Sequence, residues 1–197
     1  MQYRIYNKGN FPQRLLIYRD GVSEGSFERV RRIEVGAIRA ACQDLDPSSY
    51  PMITFVVCMT KHKVRVVPHI RREGRDKNVS SGTCVDNTIM DANNVLKRSE
   101  MKDLPPELRR FDVPDGGYDF LLTAQGGLKG TSKPIYYRVI LNENAEYGVR
   151  NATPLTKEKL ELATYHMSFQ YSTATKVCVI KKYNDIILYS PFFIISH

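Results

Sequence analysis

The sequence has few residues that would build a cross-linked or metal-stapled protein. Its four cysteines, Cys42, Cys58, Cys84 and Cys178, are widely scattered, and no C-x-x-C pair occurs. The four histidines do not complete a zinc pattern with them. We therefore expect free thiols in a reducing compartment, and neither a disulfide scaffold nor a structural zinc site.

Long apolar runs are also absent. The longest one of interest, residues 53–59, is far shorter than the roughly 20 residues with which a helix spans a bilayer. The first residues, Met1 to Tyr6, contain no apolar signal core. These two absences argue against a membrane partner and against secretion.

What the sequence does contain fits a globular domain of ordinary composition. Its 197 residues are enough for a real core, and 42% of them are hydrophobic. Twelve tyrosines and eight phenylalanines argue against general disorder. Lysine and arginine number 29 against 21 acidic residues, and the net charge of +8 suits nucleic acid, although many basic proteins have no such partner.

Apolar runs of strand length alternate with segments of helical periodicity. Strands are predicted at residues 14–19, 53–58, 118–123 and 136–141. Residues 63–68 alternate in polarity and are expected to pair with the second strand as a hairpin. Strands that alternate with helices predict an α/β layer fold.

Two helices are predicted from their spacing. The first follows Ser23, a plausible N-cap, and should end near residues 44–47. Its predicted apolar face consists of Val30, Ile33, Ala37, Ile38 and Ala41. The second begins at Thr156, and its predicted apolar face consists of Leu160, Leu162, Ala163, Tyr165 and Met167.

Several short motifs follow one another along the chain. Residues 14–27 read R-L-L-I-Y-R-D-G-V-S-E-G-S-F, and residues 51–65 hold an apolar run followed by K-H-K-V-R. Residues 81–86 read S-G-T-C-V-D, residues 127–134 read G-L-K-G-T-S-K-P, and residues 162–165 read L-A-T-Y. In this order they resemble the PIWI domain of eukaryotic Argonaute proteins, whose motifs include Y-R-D-G-V-S-E-G and G-x-x-G-T-S-[RK]-P.

The resemblance implies an RNase H-like α/β fold, with residues 1–197 as part of a PIWI domain. It places residues 3–11 inside that domain, so the first strands of the sheet and the N-terminal lobe are expected to lie outside this chain. Residues 87–117 exceed the family pattern and are interpreted as a surface insertion. A sheet without its first strands is expected to expose an apolar edge.

The resemblance also bears on catalysis. Argonaute cleavage of RNA resembles ribonuclease H chemistry, in which several carboxylates together hold two divalent ions. Asp20 matches the family's catalytic aspartate and is a candidate metal ligand, while a turn residue before Gly21 is the simpler alternative. Asp185 is a second candidate ligand, or else a turn residue beside Asn184.

The other acids of the family's catalytic set are expected upstream of this chain. We therefore expect no cleavage of RNA by the chain. An ungapped comparison with the family puts Leu188 at the last ligand position, which also favours a parent protein that does not cleave. This chain is expected to need no cofactor, and Mg²⁺ or Mn²⁺ would be required only if the complete protein is catalytic.

A surface that binds a guide RNA is the stronger implication of the resemblance. Guide strands are held mainly through their backbone. The residues implied to contact RNA are Lys61, His62, Lys63, Arg65, Gln125, Lys129, Thr131, Ser132, Lys133, Tyr171 and Lys176. Gly126, Gly127 and Gly130 would let backbone amides approach phosphates. Ordinary solvated lysines and a plain connection between strands are the alternatives.

The expected function is binding of a small guide RNA and its target RNA in RNA-mediated silencing, in the cytoplasm or the nucleus. Two alternatives stay open. One is a metal-dependent RNA endonuclease that is active when the protein is complete, and the other is a protein-interaction fragment that binds no RNA. Tryptophan-rich silencing proteins are candidate partners by resemblance only, and no small-molecule substrate is implied.

Overall fold

A mixed β-sheet of seven strands forms the centre of the computed structural model. The structure describes residues 2–68, 78–86, 117–126, 131–144, 154–169, 186–189 and 193–195. The strands within these ranges are β1 (Arg14–Asp20), β2 (Met52–Met59), β3 (Thr83–Val85), β4 (Tyr118–Thr123), β5 (Ile135–Asn142), β6 (Ile186–Tyr189) and β7 (Phe193–Ile195). Their order across the sheet is β3-β4-β5-β2-β1-β6-β7.

Helices cover this sheet on both faces. The chain begins with α1 (Gln2–Tyr6). Between β1 and β2 run a 3₁₀ turn (Glu24–Ser26), α2 (Phe27–Val30), a π-helical turn (Arg31–Val35) and α3 (Gly36–Leu45). After β5 comes α4 (Lys157–Met167). The predicted α/β layer fold and its four strands are confirmed.

Strands β1 and β2 form the parallel centre of the sheet. Leu15 pairs with Ile53, and the register continues to Asp20 opposite Cys58. The second edge of β2 pairs antiparallel with β5. Both edges of β2 are therefore occupied, and residues 60–68 contain no strand. The predicted hairpin at residues 63–68 is wrong because β2 has no free edge on which it could form.

The outer edge of β1 is paired as well. Strand β6 runs antiparallel to it, from Leu15 opposite Tyr189 to Tyr18 opposite Ile186. Strand β7 then pairs with β6. The expectation of an exposed apolar edge is therefore wrong at β1.

The helical segment after β1 begins and ends where predicted, but it buries a different face. Ser23 occupies the first N-cap, although its hydroxyl bonds Ser26 Oγ at 3.1 Å and caps no helix amide. Val30 and Val35 are buried five residues apart, whereas Ile33 is 56% exposed. The π-helical turn spaces the inward positions five residues apart, so Val35 and not Ile33 follows Val30 on the buried face.

The predicted face of this helix is therefore wrong in most of its members. Ala37 and Ala41 are exposed, while Val30 is buried and Ile38 packs partly against the core. The second predicted helix begins after Thr156 as expected. It buries Leu160 and Thr164 and leaves Leu162 54% exposed.

Each face of the sheet has its own apolar core. Ile17 and Phe55 pack with Val30 and Val35 on the side of α2 and α3. On the side of α4, a cluster of buried side chains includes Tyr18, Val56, Phe120, Tyr137 and Leu160. Helix α4 and β1 are also linked by a buried hydrogen bond of 2.7 Å between the hydroxyls of Tyr18 and Thr164. Because the Thr164 hydroxyl donates its hydrogen to Leu160 O, Tyr18 is the donor to Thr164.

Three further predictions concern the cysteines, a membrane span and the surface insertion. Within the described residues, Cys42, Cys58 and Cys84 are free thiols, as expected, and Cys178 lies outside them. No helix in the described part of the chain is long and apolar enough to cross a membrane. The predicted insertion at residues 87–117 lies outside the described residues except for Gly117.

Helix α4 meets β3 through a group of charged side chains. Lys157 Nζ donates to Asp86 O at 2.8 Å and lies 3.3 Å from Asp86 Oδ2. Burial, followed by the nearby Asp86 carboxylate, raises the pKa of Glu161 from 4.5 to about 7. The Oε1 atom of Glu161 is buried and has no hydrogen-bond partner among the described residues. The folded chain therefore favours the protonated form of Glu161.

This raised pKa predicts a pH dependence of stability. Between pH 4.5 and about 7 the folded state holds a proton that the unfolded state has released. The stabilising contribution is complete below pH 4.5 and is lost as the pH rises through 7. In urea unfolding across this window, the free energy of unfolding should fall more steeply for the wild type than for Glu161→Gln, which cannot ionise. If the free energy of unfolding changes equally with pH in the two proteins, the raised pKa of Glu161 is contradicted.

Candidate nucleic-acid interface

Asp20 lies at the carboxyl end of β1. It shares a face of the sheet with Tyr18, two residues earlier, and its backbone pairs with Cys58 of β2. Gly21 N donates to Asp20 Oδ1 at 2.8 Å, in a turn where Gly21 has φ +82°, a value that favours glycine. Burial, followed by the charge of Asp20, raises the pKa of the Cys58 thiol. Asp20 is thus a half-buried carboxylate at the rim of the sheet.

The described residues do not build a metal site around Asp20. A pair of Mg²⁺ ions needs several oxygen ligands at once. Within the ranges that the structure describes, no three His, Cys, Asp or Glu side chains come together in a way that would hold a metal ion. Asp185, the other predicted ligand, lies outside those ranges.

The predicted basic segment leaves the sheet at the same end as Asp20, because β1 and β2 are parallel. Lys61, Lys63 and Arg65 are exposed, and His62 is half-buried. His62 Nε2 donates to Pro134 O at 3.0 Å, and its ring centroid lies 6.3 Å from that of Tyr136. The contact joins two parts of the chain that are 72 residues apart in sequence.

The second predicted group lies in the connection between β4 and β5, which meets the basic segment through Pro134. Gln125, Thr131 and Lys133 are exposed, whereas Ser132 is only 6% exposed. The structure therefore brings His62 of the basic segment beside Pro134, and the contact of these two groups with RNA stays a prediction. The predicted residues Lys129, Tyr171 and Lys176 lie outside the described residues.

Two backbone amides of this connection already have hydrogen-bond acceptors. Gly126 N donates to Ser81 Oγ at 2.9 Å, and Ser132 N donates to Asn78 Oδ1 at 2.7 Å. The expectation that the Gly126 amide approaches a phosphate is wrong in this geometry, because its single hydrogen is used by Ser81. Gly127 and Gly130 lie outside the described residues.

Neither Asn78 nor Ser81 was predicted from the sequence. Short polar residues before a glycine are typical of turns, so residues 78–82 read as an ordinary loop. Their partners lie 45 and 54 residues further along the chain, which no local pattern shows.

A buried charge cluster supports the same end of β5. Asp119 in β4 is 1% exposed. Arg138 Nη1 donates to Asp119 Oδ1 at 2.6 Å, and the Tyr136 hydroxyl donates to Asp119 Oδ2. Burial, together with the hydrogen bond to Asp119 and the charge of that residue, raises the pKa of Tyr136 above its ordinary value. Tyr136 therefore stays a neutral donor that is fixed beside His62.

The sequence carries a signal for this cluster within two apolar strands. Asp119 stands inside the apolar run Y-D-F-L-L, where an unpaired charge would be costly. Arg138 and Tyr136 alternate with apolar residues in β5, so they share one face of the strand. A charged residue in each of two buried strands predicts an ion pair if the strands are neighbours.

Comparison with known proteins shows to which family the sequence is related. A model of the Piwi domain family matches residues 1–99. Protein argonaute 5 of Arabidopsis thaliana is 34% identical over 172 residues, which are 85% of this chain and 14% of that protein. Protein argonaute 12 of Oryza sativa subsp. japonica is 34% identical over 174 residues, which are 87% of this chain and 14% of that protein. The chain thus spans a small part of the length of these curated relatives.

Solved structures show the fold. The C-terminal lobe of a budding yeast Argonaute superposes with a TM-score of 0.65 at 22% identity, over 90% of this chain and 32% of that one. Kluyveromyces polysporus Argonaute with a guide RNA gives a TM-score of 0.65 at 23% identity, over 90% of this chain and 19% of that one. The chain therefore has the RNase H-like α/β fold of Argonaute C-terminal lobes. It belongs to the Piwi domain family.

Proposed function

We propose that the chain is part of an Argonaute protein and that it binds a small guide RNA, and with it the target RNA, in RNA-mediated silencing. The setting that we propose is cytoplasmic or nuclear. The observation that carries the proposal is the contact of His62 with Pro134, which places the basic segment beside residues 131–134. A solved relative, Kluyveromyces polysporus Argonaute, was crystallised with a guide RNA, which supports the same reading.

The exposed side chains at this contact have the chemistry that an RNA backbone requires. Lys61, Lys63, Arg65 and Lys133 provide positive charge, and Thr131 provides an exposed hydroxyl. Contacts of this kind bind phosphates and sugars and position the strand. Each phosphate that a single strand contributes adds roughly 0.7 to the slope of log affinity against log salt. Binding through these residues should therefore be strongly weakened by salt.

The first prediction concerns Lys61 and Lys133. The double variant Lys61→Ala/Lys133→Ala should bind a short 5′-phosphorylated RNA more weakly than the wild type, because two phosphate contacts are lost. Its salt slope, measured by fluorescence anisotropy across a salt series, should be smaller by about 1.4.

Lys159→Ala is a matched control for each single lysine variant. Lys159 is exposed near the start of α4 and contacts Pro154 O. Lys157, two residues earlier, contacts Asp86. Asp86 follows the end of β3 that is farther from the connection between β4 and β5. The control therefore removes an equal charge at a distance from the proposed surface. A folded wild type that binds no RNA, or a Lys133→Ala variant that behaves like Lys159→Ala, would sink the proposal.

We also infer that this chain does not cleave RNA by itself. If the complete protein does cleave, Asp20 would be one of the residues that hold Mg²⁺ or Mn²⁺, which would supply the charge stabilisation of a phosphodiester hydrolysis. The described residues offer too few oxygen ligands for a two-ion site.

The second RNA prediction tests this inference. A guide–target duplex incubated with the chain and Mg²⁺ or Mn²⁺ should stay intact, equally with the wild type and with Asp20→Asn. The affinity of Asp20→Asn for RNA should be equal to or slightly above that of the wild type, because the variant lacks one negative charge. Divalent-dependent cleavage that Asp20→Asn abolishes would instead establish the alternative function, a metal-dependent RNA endonuclease.

Tryptophan-rich silencing proteins are a further proposed class of partner, and an exposed apolar surface favours them. Near the end of α3, Leu45 is 61% exposed and Tyr50 is 58% exposed. The guanidinium of Arg39 lies 4.7 Å from the centre of the Tyr50 ring. The stacked guanidinium holds the Tyr50 ring in place, so the exposed Tyr50 ring is the proposed contact for a tryptophan ring.

A tryptophan-rich peptide provides the test of this surface. Tyr50→Ala should weaken binding of the peptide by about fivefold or more, the effect of losing an aromatic anchor. Tyr6→Ala removes a comparably exposed tyrosine, 74% exposed in α1, and should leave the affinity unchanged. Isothermal titration calorimetry measures both, and equal affinities for the two variants would exclude Tyr50 as the anchor.

A further inference from the structure

The connection between β4 and β5 is held by a segment that the proposed function does not involve. Residues 124–134 form this connection, which is longer than the two to five residues that usually join a hairpin. The structure describes both of its ends, residues 124–126 and 131–134. Each end donates a backbone amide to a side chain of residues 78–81.

The two hydrogen bonds are short and specific. Ser132 is nearly buried, and its amide donates to Asn78 Oδ1 at 2.7 Å. Gly126 N donates to Ser81 Oγ at 2.9 Å. A side chain at position 126 would come within 3.4 Å of Val79 O, so the chain segments also approach closely. The side chains of Asn78 and Ser81 therefore hold the two ends of the connection.

The segment that carries these side chains is itself fixed. Gly82 N donates to Thr123 O at 2.8 Å, which anchors it to the end of β4. The Thr83 amide and hydroxyl both donate to Ser80 O, at 3.2 and 2.7 Å. Gly82 has φ +83°, and a Cβ there would lie 3.1 Å from Cζ of Tyr165 in α4. Asn78 and Ser81 thus project from a turn that the sheet and α4 constrain.

We propose that Asn78 and Ser81 are positioning residues of the RNA-binding surface, which fix the two ends of the connection so that Thr131 and Lys133 flank the contact between His62 and Pro134. This inference rests on the proposed function and deepens it. Neither residue is assigned a contact with RNA, because the oxygen atoms concerned accept hydrogen bonds from the connection itself.

Preorganisation is the physical reason for such a role. Binding of RNA has to order the side chains and backbone that touch it, and a connection that is already held costs less to order. Removal of the Asn78 oxygen leaves the part-buried Ser132 amide without its acceptor, which is unfavourable, and removal of the Ser81 oxygen frees the exposed Gly126 amide. Either change releases the corresponding end of the connection. Both residues are uncharged, so their loss should lower the affinity and leave the salt slope close to that of the wild type.

The test compares Asn78→Ala and Ser81→Ala with two matched variants. Ser81→Thr keeps the hydroxyl and should restore wild-type behaviour. Ser80→Ala changes the neighbouring serine, which acts in the turn through its backbone carbonyl, and should have no effect. In the RNA-free chain, hydrogen exchange by NMR should accelerate at the Ser132 amide in Asn78→Ala and at the Gly126 amide in Ser81→Ala. The Kd for the 5′-phosphorylated RNA should rise about fivefold in each, the equivalent of one hydrogen bond.

The outcomes separate this inference from the function on which it rests. Accelerated exchange together with the weaker binding and an unchanged salt slope supports it. A folded wild type that binds no RNA refutes the proposed function and the inference together. If the wild type binds RNA and both alanine variants bind it equally tightly, the inference alone is refuted. Weaker binding without accelerated exchange also overturns it, because Asn78 and Ser81 would then contact the RNA directly.

Discussion

The parallel pairing of β1 with β2 is the constraint on which the other features depend. Both strands are apolar on both faces, so each face requires its own cover, and the chain supplies α2 and α3 on one side and α4 on the other. A parallel pair also needs a crossover, which the helical segment between residues 24 and 45 provides. Because both strands point the same way, Asp20 and the basic segment after Met59 emerge at one end of the sheet.

Strand β5 has to be fixed against this pair, and buried polar contacts fix it at both ends. At one end, Thr54 of β2 donates to Asn142 Oδ1 at 2.8 Å and accepts from Asn144 Nδ2 at 2.9 Å. At the other end, Asp119 is held by Arg138 and Tyr136. The Asp119 contacts hold β4 against β5, whereas the Thr54 contacts hold the register of β5 against β2 beside the irregularity at Phe55 and Val56. The position of Pro134 relative to His62 follows from this register.

The sequence alone predicts the features that local patterns control. Apolar, β-branched runs predict β1, β2, β4 and β5 to within one or two residues, since each run is bounded by turn residues. Helical periodicity fails after Val30 because the π-helical turn changes the period within the helix. The alternation at residues 63–68 is misleading for a different reason, since the occupancy of the edges of β2 is a property of the whole sheet.

The candidate site shows the same division between local and distant information. Motifs identify Asp20, Lys61 and Lys133, because their chemistry is carried by single residues in short patterns. The contacts of Asn78 and Ser81 with the connection between β4 and β5 depend on residues 45 to 54 positions away, and the pairing of Asp119 with Arg138 depends on strand order. Such contacts become predictable only after the sheet topology is known.

The same division between single residues and distant contacts applies to the way in which the proposed surface would recognise an RNA strand. Its exposed cations and hydroxyl would contact phosphates and sugars, which every nucleotide has, so they would carry no information about base sequence. Within the part of the chain that the structure describes, the exposed cations Lys61, Lys63, Arg65 and Lys133 would together contribute about 2.8 to the salt slope. In the arrangement that we propose, the uncharged residues Asn78 and Ser81 hold the connection that carries Lys133. The proposed surface would therefore select a strand by its charge and shape and not by its base sequence.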